Sequence, residues 1–371
     1  MTTDKRLFTP GPLTTSATVK RAMLHDLGSR DAAFIQTVSD VRRALLALGQ
    51  VSQESGYEAV IVQGSGTFGL EAMVSSLLPD TGKLLVLVNG AYGARLVNMA
   101  RVHGVQVESL EHAEDTAPDP DALDRRLAAD PDIRHVAVVH CETTTGILNP
   151  VERLGAVTRR HDRSLLVDAM SSFGALPVDL AGWGVDALVS SSNKCIQGVP
   201  GFAFVLCRTD LLVAAEGRAR TMSLDLHAQW KGLEANGQFR FTPPTHVILA
   251  FRQALAELAE EGGPDARGAR YRANQQRLVQ GMQALGFEAY LDAGLQGPII
   301  TTFREPQHPR FDFETFYRHL AAREMVIYPG KLTEAACFRI GSIGDLHLAD
   351  MDELLACVRD VLAEMDIDLG A

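Results

Sequence analysis

A chain of 371 residues, 46% hydrophobic and 22% charged, is too long for one small core and suits a large domain with a smaller one. Its net charge of −11 supplies no basic face for nucleic acid, and no apolar run approaches the length of a membrane span. The five scattered cysteines (Cys141, Cys195, Cys207, Cys337 and Cys357) form no CxxC pair and read as buried free thiols. No apolar signal core follows Met1, so a cytoplasmic location is expected.

In chain order, residues 1–15 read as an extended arm, because Thr9-Pro10-Gly11-Pro12 cannot continue a helix. Helical patterning follows at 16–26 and at 32–50, where Phe34, Val38, Val41 and Leu45 share one face. From residue 57, short apolar runs alternate with helical stretches. The strands expected are Ala59–Val62, Leu84–Val88, Val105–Leu110, His135–Val139, Ser164–Val167, Ala187–Val189 and Ala203–Leu206, with helices at 68–78, 91–103, 120–129 and 150–161. That alternation predicts an α/β domain with a mainly parallel seven-stranded sheet flanked by helices. A helix at 245–261 then runs into Glu261-Gly262-Gly263-Pro264, a strong break. Beyond it come a helix near 265–285, strands near 287–291 and 298–303, a helix near 312–322, a strand near 325–328 and a helix near 348–365. The organisation expected is an arm over 1–15, a large domain over 16–260 and a smaller α+β C-terminal domain over 261–371.

The residues that carry chemistry lie where these strands end. Gln63-Gly64-Ser65-Gly66-Thr67-Phe68-Gly69 joins a strand to a helix, and its glycines, hydroxyls and helix N-terminus suit a phosphate. It also satisfies the dinucleotide fingerprint, but the next strand ends in Asn89-Gly90 with no acid for a ribose, which argues against that fold. A merely structural turn stays open. Tyr92, after that next strand, can stack on a flat ring or pack on its own helix. Thr143, Thr144 and Thr145 follow the fourth strand and offer three hydroxyls, or a plain turn. Asp168 follows the fifth strand and Lys194 the sixth. A lysine able to form a Schiff base, near an aspartate able to keep a pyridinium protonated, is the minimum equipment for pyridoxal 5'-phosphate (PLP) chemistry. Ligands of open parallel sheets collect at the carboxyl ends of strands, so all five loops are expected on one rim. Arg339, in Phe338-Arg339-Ile340-Gly341, is flanked by apolar residues and calls for an anion or an internal salt bridge. The eleven histidines show no ligand spacing, and no metal is assigned.

Together these segments resemble the class V aminotransferases, enzymes of the PLP-dependent transferase fold type I, and the likeness runs nearly end to end. It is carried by Phe8–Thr15, Gly64–Thr67, Asn89–Gly93, Glu142–Gly146, Val167–Gly174, Ser192–Cys195, Phe241–Thr245, Ile327–Lys331 and Cys337–Gly341. The resemblance implies that Lys194 forms the Schiff base and shuttles the proton, that Asp168 pairs with the pyridine nitrogen, and that Tyr92 stacks on the ring. It implies that Thr143 bonds the ring hydroxyl, and that Ser65, Gly66, Thr67 and Asn193 hold the phosphate, helped by Thr242 of a neighbouring subunit. Arg339 would bind the substrate anion, and the enzyme would be a homodimer with shared active sites. The segments 9–16, 241–245 and 327–341 resemble more narrowly the members that use 2-aminoethylphosphonate as donor and pyruvate as acceptor. The competing expectation is a transaminase of alanine or serine with glyoxylate, which would share every cofactor residue. One departure stands out: Leu27-Gly28-Ser29-Arg30-Asp31 lacks a tryptophan found in some members, so that wall of the substrate pocket is expected to differ.

Overall fold

The structure, a computed structural model, describes residues 4–330, 332 and 335–370. The apolar runs form seven strands: β1 (Tyr57–Gln63), β2 (Lys83–Val88), β3 (Val107–Glu111), β4 (Ile133–Val139), β5 (Ser164–Asp168), β6 (Ala187–Ser191) and β7 (Phe202–Arg208). They pair into one sheet in the order β1-β7-β6-β5-β4-β2-β3. Side chains alternate across a strand, so each run feeds two cores at once. Leu85 and Leu87 of β2 join a core with the helices Ala32–Leu48, Val151–Arg160 and Thr245–Glu261. Leu84, Val86 and Val88 join the opposite core with the helices Gly66–Leu77 and Ala91–Val102. Burial on both faces is why these strands read as unbroken apolar runs, all but the edge strand β3, whose residues are half-buried or exposed.

Six strands share one direction, and β7 runs antiparallel to both of its neighbours. The segment 192–201 between β6 and β7 holds no helix, so the chain turns back on itself instead of crossing over. The loops after the parallel strands therefore open on one rim, and the segment after β6 places Lys194 there.

A second sheet lies in the C-terminal part: β8 (Ile300–Arg304), β9 (Tyr328–Pro329) and β10 (Cys337–Gly341), ordered β8-β10-β9 and antiparallel. Its core gathers Phe303, Phe316 and Phe338 with residues of the helices Gly263–Ala284, Phe313–Ala322 and Leu348–Glu364. The arm joins this core. Phe8 is fully buried in it, Arg6–Leu7 pairs with Met325–Val326, and the Gly341 amide donates to the Phe8 carbonyl at 2.9 Å. From there the arm crosses to the rim of the large sheet.

Three expectations are corrected. Residues 287–291 form no strand: one bridge, Ala289 to Phe303, forms before Asp292-Ala293-Gly294 turns the chain away. The strand expected at Val105–Leu110 starts only at Val107, since Val105 still closes the preceding helix by donating to the Ala100 carbonyl. The helix Leu226–Asn236 was not expected, because only Leu226, Gln229 and Leu233 of it are buried. Its caps were readable: Asp225 accepts from the Ala228 amide, and Gly237 ends it at φ 72°. Among the described residues no helix is long and apolar enough to cross a membrane.

Candidate active site

At the carboxyl rim of the sheet lies a cavity of about 210 Å³, and Ser65, Gly66, Thr67, Tyr92, Arg95, Thr143, Asp168, Asn193 and Lys194 are among the residues that line it. The five loops expected on one rim are there together.

Asp168 ends β5 almost without exposure, and its Oδ1 accepts from the Met170 amide at 2.9 Å. Burial pushes its pKa up to about 6, with the Glu142 carboxylate adding to the rise while the Met170 amide, Arg95 and Lys194 oppose it. A carboxyl so placed gains by meeting a cation, which a protonated pyridine nitrogen would supply. The Lys194 amine donates to the Pro10 carbonyl at 2.7 Å. Burial and the Arg339 charge lower its pKa, against the pull of Tyr92, Cys195 and Asp168. The result is a larger share of neutral, nucleophilic amine near pH 7. Gly11 must stay bare for this contact, since it lies at φ 124° and a Cβ there would come within 2.6 Å of the Lys194 Nζ.

Helix Gly66–Leu77 begins at the cavity with Ser65 as its N-cap, and the Ser65 side chain does not bond its first amides. Those amides and the Ser65 and Thr67 hydroxyls form an anion cradle. Gly66 lets the Met170 side chain lie against this turn, since an added Cβ would come within 2.2 Å of its sulfur and push that side chain aside. Asn193 accepts from Ser191 at 3.1 Å, which turns its amide toward the same rim. The donors, the ring-sized space, Asp168 and Lys194 fit PLP, with the phosphate at Ser65–Thr67.

Tyr92 opens helix Ala91–Val102, with the Arg95 guanidinium 4.8 Å over its ring. Its backbone is held by Glu142, a residue the sequence reading passed over. The fully buried Glu142 carboxylate accepts from the Tyr92 amide (3.2 Å), the Gly93 amide (3.2 Å) and the Thr144 hydroxyl (2.5 Å). Nothing in its sequence position distinguishes it from a loop acid, because the helix amides it holds, those of Tyr92 and Gly93, lie about fifty residues upstream.

Arg339, on β10, is 2% exposed and does not line the cavity itself. Its Nη1 donates to the Thr143 carbonyl at 2.8 Å and its Nε to the Pro329 carbonyl at 2.9 Å, with the Tyr328 ring 5.1 Å away. Among the described residues no carboxylate pairs with it, so the internal salt bridge considered above is not its role there. Lys331, in the same stretch, lies outside the described residues. Thr242 is not brought to the cavity: it is exposed, beside Ser29, Arg30, Arg240 and Phe241, and its carbonyl accepts from Gln63 at 2.8 Å.

The family model for class V aminotransferases matches residues 13–325. A 2-aminoethylphosphonate–pyruvate transaminase of Salmonella paratyphi C is 51% identical over 96% of this chain and 97% of that protein. One from Klebsiella pneumoniae is 50% identical over the same shares. Among solved structures, a ureidoglycine–glyoxylate aminotransferase from Bacillus subtilis superposes with a TM-score of 0.91 at 25% identity, covering 100% of this chain and 96% of that one. An alanine–glyoxylate aminotransferase from Nostoc sp. gives 0.89 at 26% identity, covering 98% and 96%.

Proposed function

The chain belongs to the class V aminotransferase family, and on that premise we propose that it moves the amino group of 2-aminoethylphosphonate to pyruvate, releasing phosphonoacetaldehyde and L-alanine. The substrate assignment is supported by the identity of about half to relatives bearing that activity in their names, over nearly the whole chain. The observation that carries the chemistry is the convergence of the Lys194 amine and the Asp168 carboxyl, both desolvated, on one cavity. When bound there, PLP supplies the electron sink for the pair left by the broken C–H bond.

The rest falls to the chain's own residues. The Lys194 amine would take the proton from the carbon bearing the donor's amine. Asp168 would keep a proton on the ring nitrogen of bound PLP, and Tyr92 would help hold the ring. Ser65, Gly66, Thr67 and Asn193 would hold the phosphate, and Thr143 the ring hydroxyl. Arg339 accepts the phosphonate of one substrate and the carboxylate of the other, so the two occupy one pocket in turn. The kinetics are therefore ping-pong, with parallel double-reciprocal lines. The working enzyme is a cytoplasmic homodimer in which Thr242 completes the phosphate site of the neighbouring subunit.

A half-reaction tests this reading. The yellow holoenzyme is mixed with 2-aminoethylphosphonate and no pyruvate, and its visible absorbance is followed against alanine and serine. Fast bleaching by the phosphonate supports the donor. Fast bleaching by serine or alanine alone would keep the mechanism and move the donor to an amino acid. A protein that takes up no PLP would overturn the reading of Lys194.

A further inference from the structure

Among the described residues, Glu142 is the one buried acid of the rim that the mechanism above leaves without a task. Donors meet both of its oxygens. Oε1 accepts from the Thr144 hydroxyl (2.5 Å) and the Thr144 amide (3.3 Å), and Oε2 from the amides of Tyr92 and Gly93 (both 3.2 Å). Thr144 closes the circuit, since its hydroxyl also accepts from the Ala91 amide at 3.0 Å. The carboxylate thus caps the first turn of helix Ala91–Val102, the turn that carries Tyr92, where an anion meets the positive end of the helix. Gly90 leaves it room, because a Cβ there would lie 2.3 Å from the Glu142 Cγ. On its other side the loop is fixed by Arg339, whose Nη1 donates to the Thr143 carbonyl at 2.8 Å.

We propose that Glu142 is a positioning residue: it fastens the Tyr92 end of the helix to the Thr143–Thr144 loop and so sets where the Tyr92 ring meets the cofactor. It touches neither substrate nor cofactor and acts through Tyr92. A glutamine there keeps the size but turns an NH2 toward backbone donors, which opens the clamp without emptying the site.

The inference rests on the function proposed above, and the test separates the two. Cofactor-free wild type, Glu142→Gln, Tyr92→Ala and the double variant are titrated with PLP, reading the dissociation constant and the visible circular dichroism of the bound ring. Glu142→Gln is expected to weaken PLP about tenfold, as one misplaced buried hydrogen-bonding group does, and to reduce the dichroism. On the Tyr92→Ala background the same change is expected to do almost nothing further, because the ring it positions is gone. Equal losses on both backgrounds would overturn the proposal, since a merely structural acid would act additively. If Glu142→Gln does not fold, Thr144→Val opens the same clamp and takes its place in the cycle. Wild type that binds no PLP would instead sink the functional reading.

Discussion

The Lys194 cavity and the Thr242 surface differ in how much of a site one chain completes. The cavity is built from loops at one end of a single sheet, and its reactive groups are held in place and desolvated by neighbours of the same chain. The hollow beside Thr242, about 380 Å³, is walled by Ser29, Arg30 and the run Gln238–Pro243, and it faces outward. Phe241 is 41% exposed there, and the Gln63 amide donating to the Phe241 and Thr242 carbonyls ties the run to the sheet. The cavity is closed by one chain, whereas the Thr242 hollow is open, so under the proposed reading Thr242 would serve a phosphate only with a second chain against it.

The sharpest way to break the comparison is to remove Lys194. Lys194→Ala is expected to lower the half-reaction rate by roughly 10²–10⁴-fold, the usual share of a positioned base, whatever subunit faces it. Normal turnover measured by stopped-flow absorbance would show that the chemistry lies elsewhere.

Asp168→Asn is expected to come next, with a loss of about 10²-fold or more as its electrostatic support for the ring disappears. It also carries a stability signature. The folded carboxyl has its pKa raised to about 6 in the cofactor-free chain, so the folded state holds its proton longer than the unfolded one. The stability tied to that proton is present below about pH 4 and is lost as pH rises to about 6, at a cost of about 3 kcal/mol. Cofactor-free Asp168→Asn should therefore resist urea better than wild type at pH 7 and lose the advantage near pH 4. Lys194 works the other way: its lowered pKa favours the fold in alkaline solution and loses that benefit as pH falls. A variant weaker than wild type at pH 7 would contradict the desolvated acid.

Arg339→Ala separates binding from chemistry. Losing a charge-assisted contact should raise the KM for 2-aminoethylphosphonate roughly tenfold to a hundredfold, with a smaller change in PLP affinity. The reverse pattern would recast Arg339 as a brace for the Thr143 loop, to which it is already bonded.

The same contrast separates what the sequence disclosed from what it concealed. The cavity was legible because a buried parallel strand is an unbroken apolar run: Asp168 closes the apolar run of β5, and Lys194 follows that of β6 after a short serine stretch and Asn193. Periodicity thus located the rim before any contact was known. Contacts between distant segments were not legible: the Lys194 bond to Pro10 spans 184 positions, and the Glu142 clamp on Tyr92 spans 50. Helix Leu226–Asn236 escaped for another reason, since its buried face is too narrow for a hydrophobic period. The role of Thr242 rested on resemblance alone, as no local pattern makes a solvent-facing threonine a phosphate ligand.

The smallest effect is therefore the most telling for the comparison. Thr242→Ala removes one hydroxyl and should weaken PLP only about fivefold, the worth of a single hydrogen bond. Hybrid dimers decide which subunit feels it, because Lys194→Ala leaves one lysine-bearing site per hybrid to titrate. When Lys194→Ala and Thr242→Ala lie on different chains, a shared site receives its threonine from the Lys194→Ala chain and binds PLP like wild type. When both substitutions lie on one chain beside a wild-type partner, the lysine-bearing site faces the missing hydroxyl and shows the fivefold loss. If Thr242 instead serves its own chain, the two hybrids exchange behaviours. If neither hybrid differs from wild type, the outward-facing hollow has no part in cofactor binding.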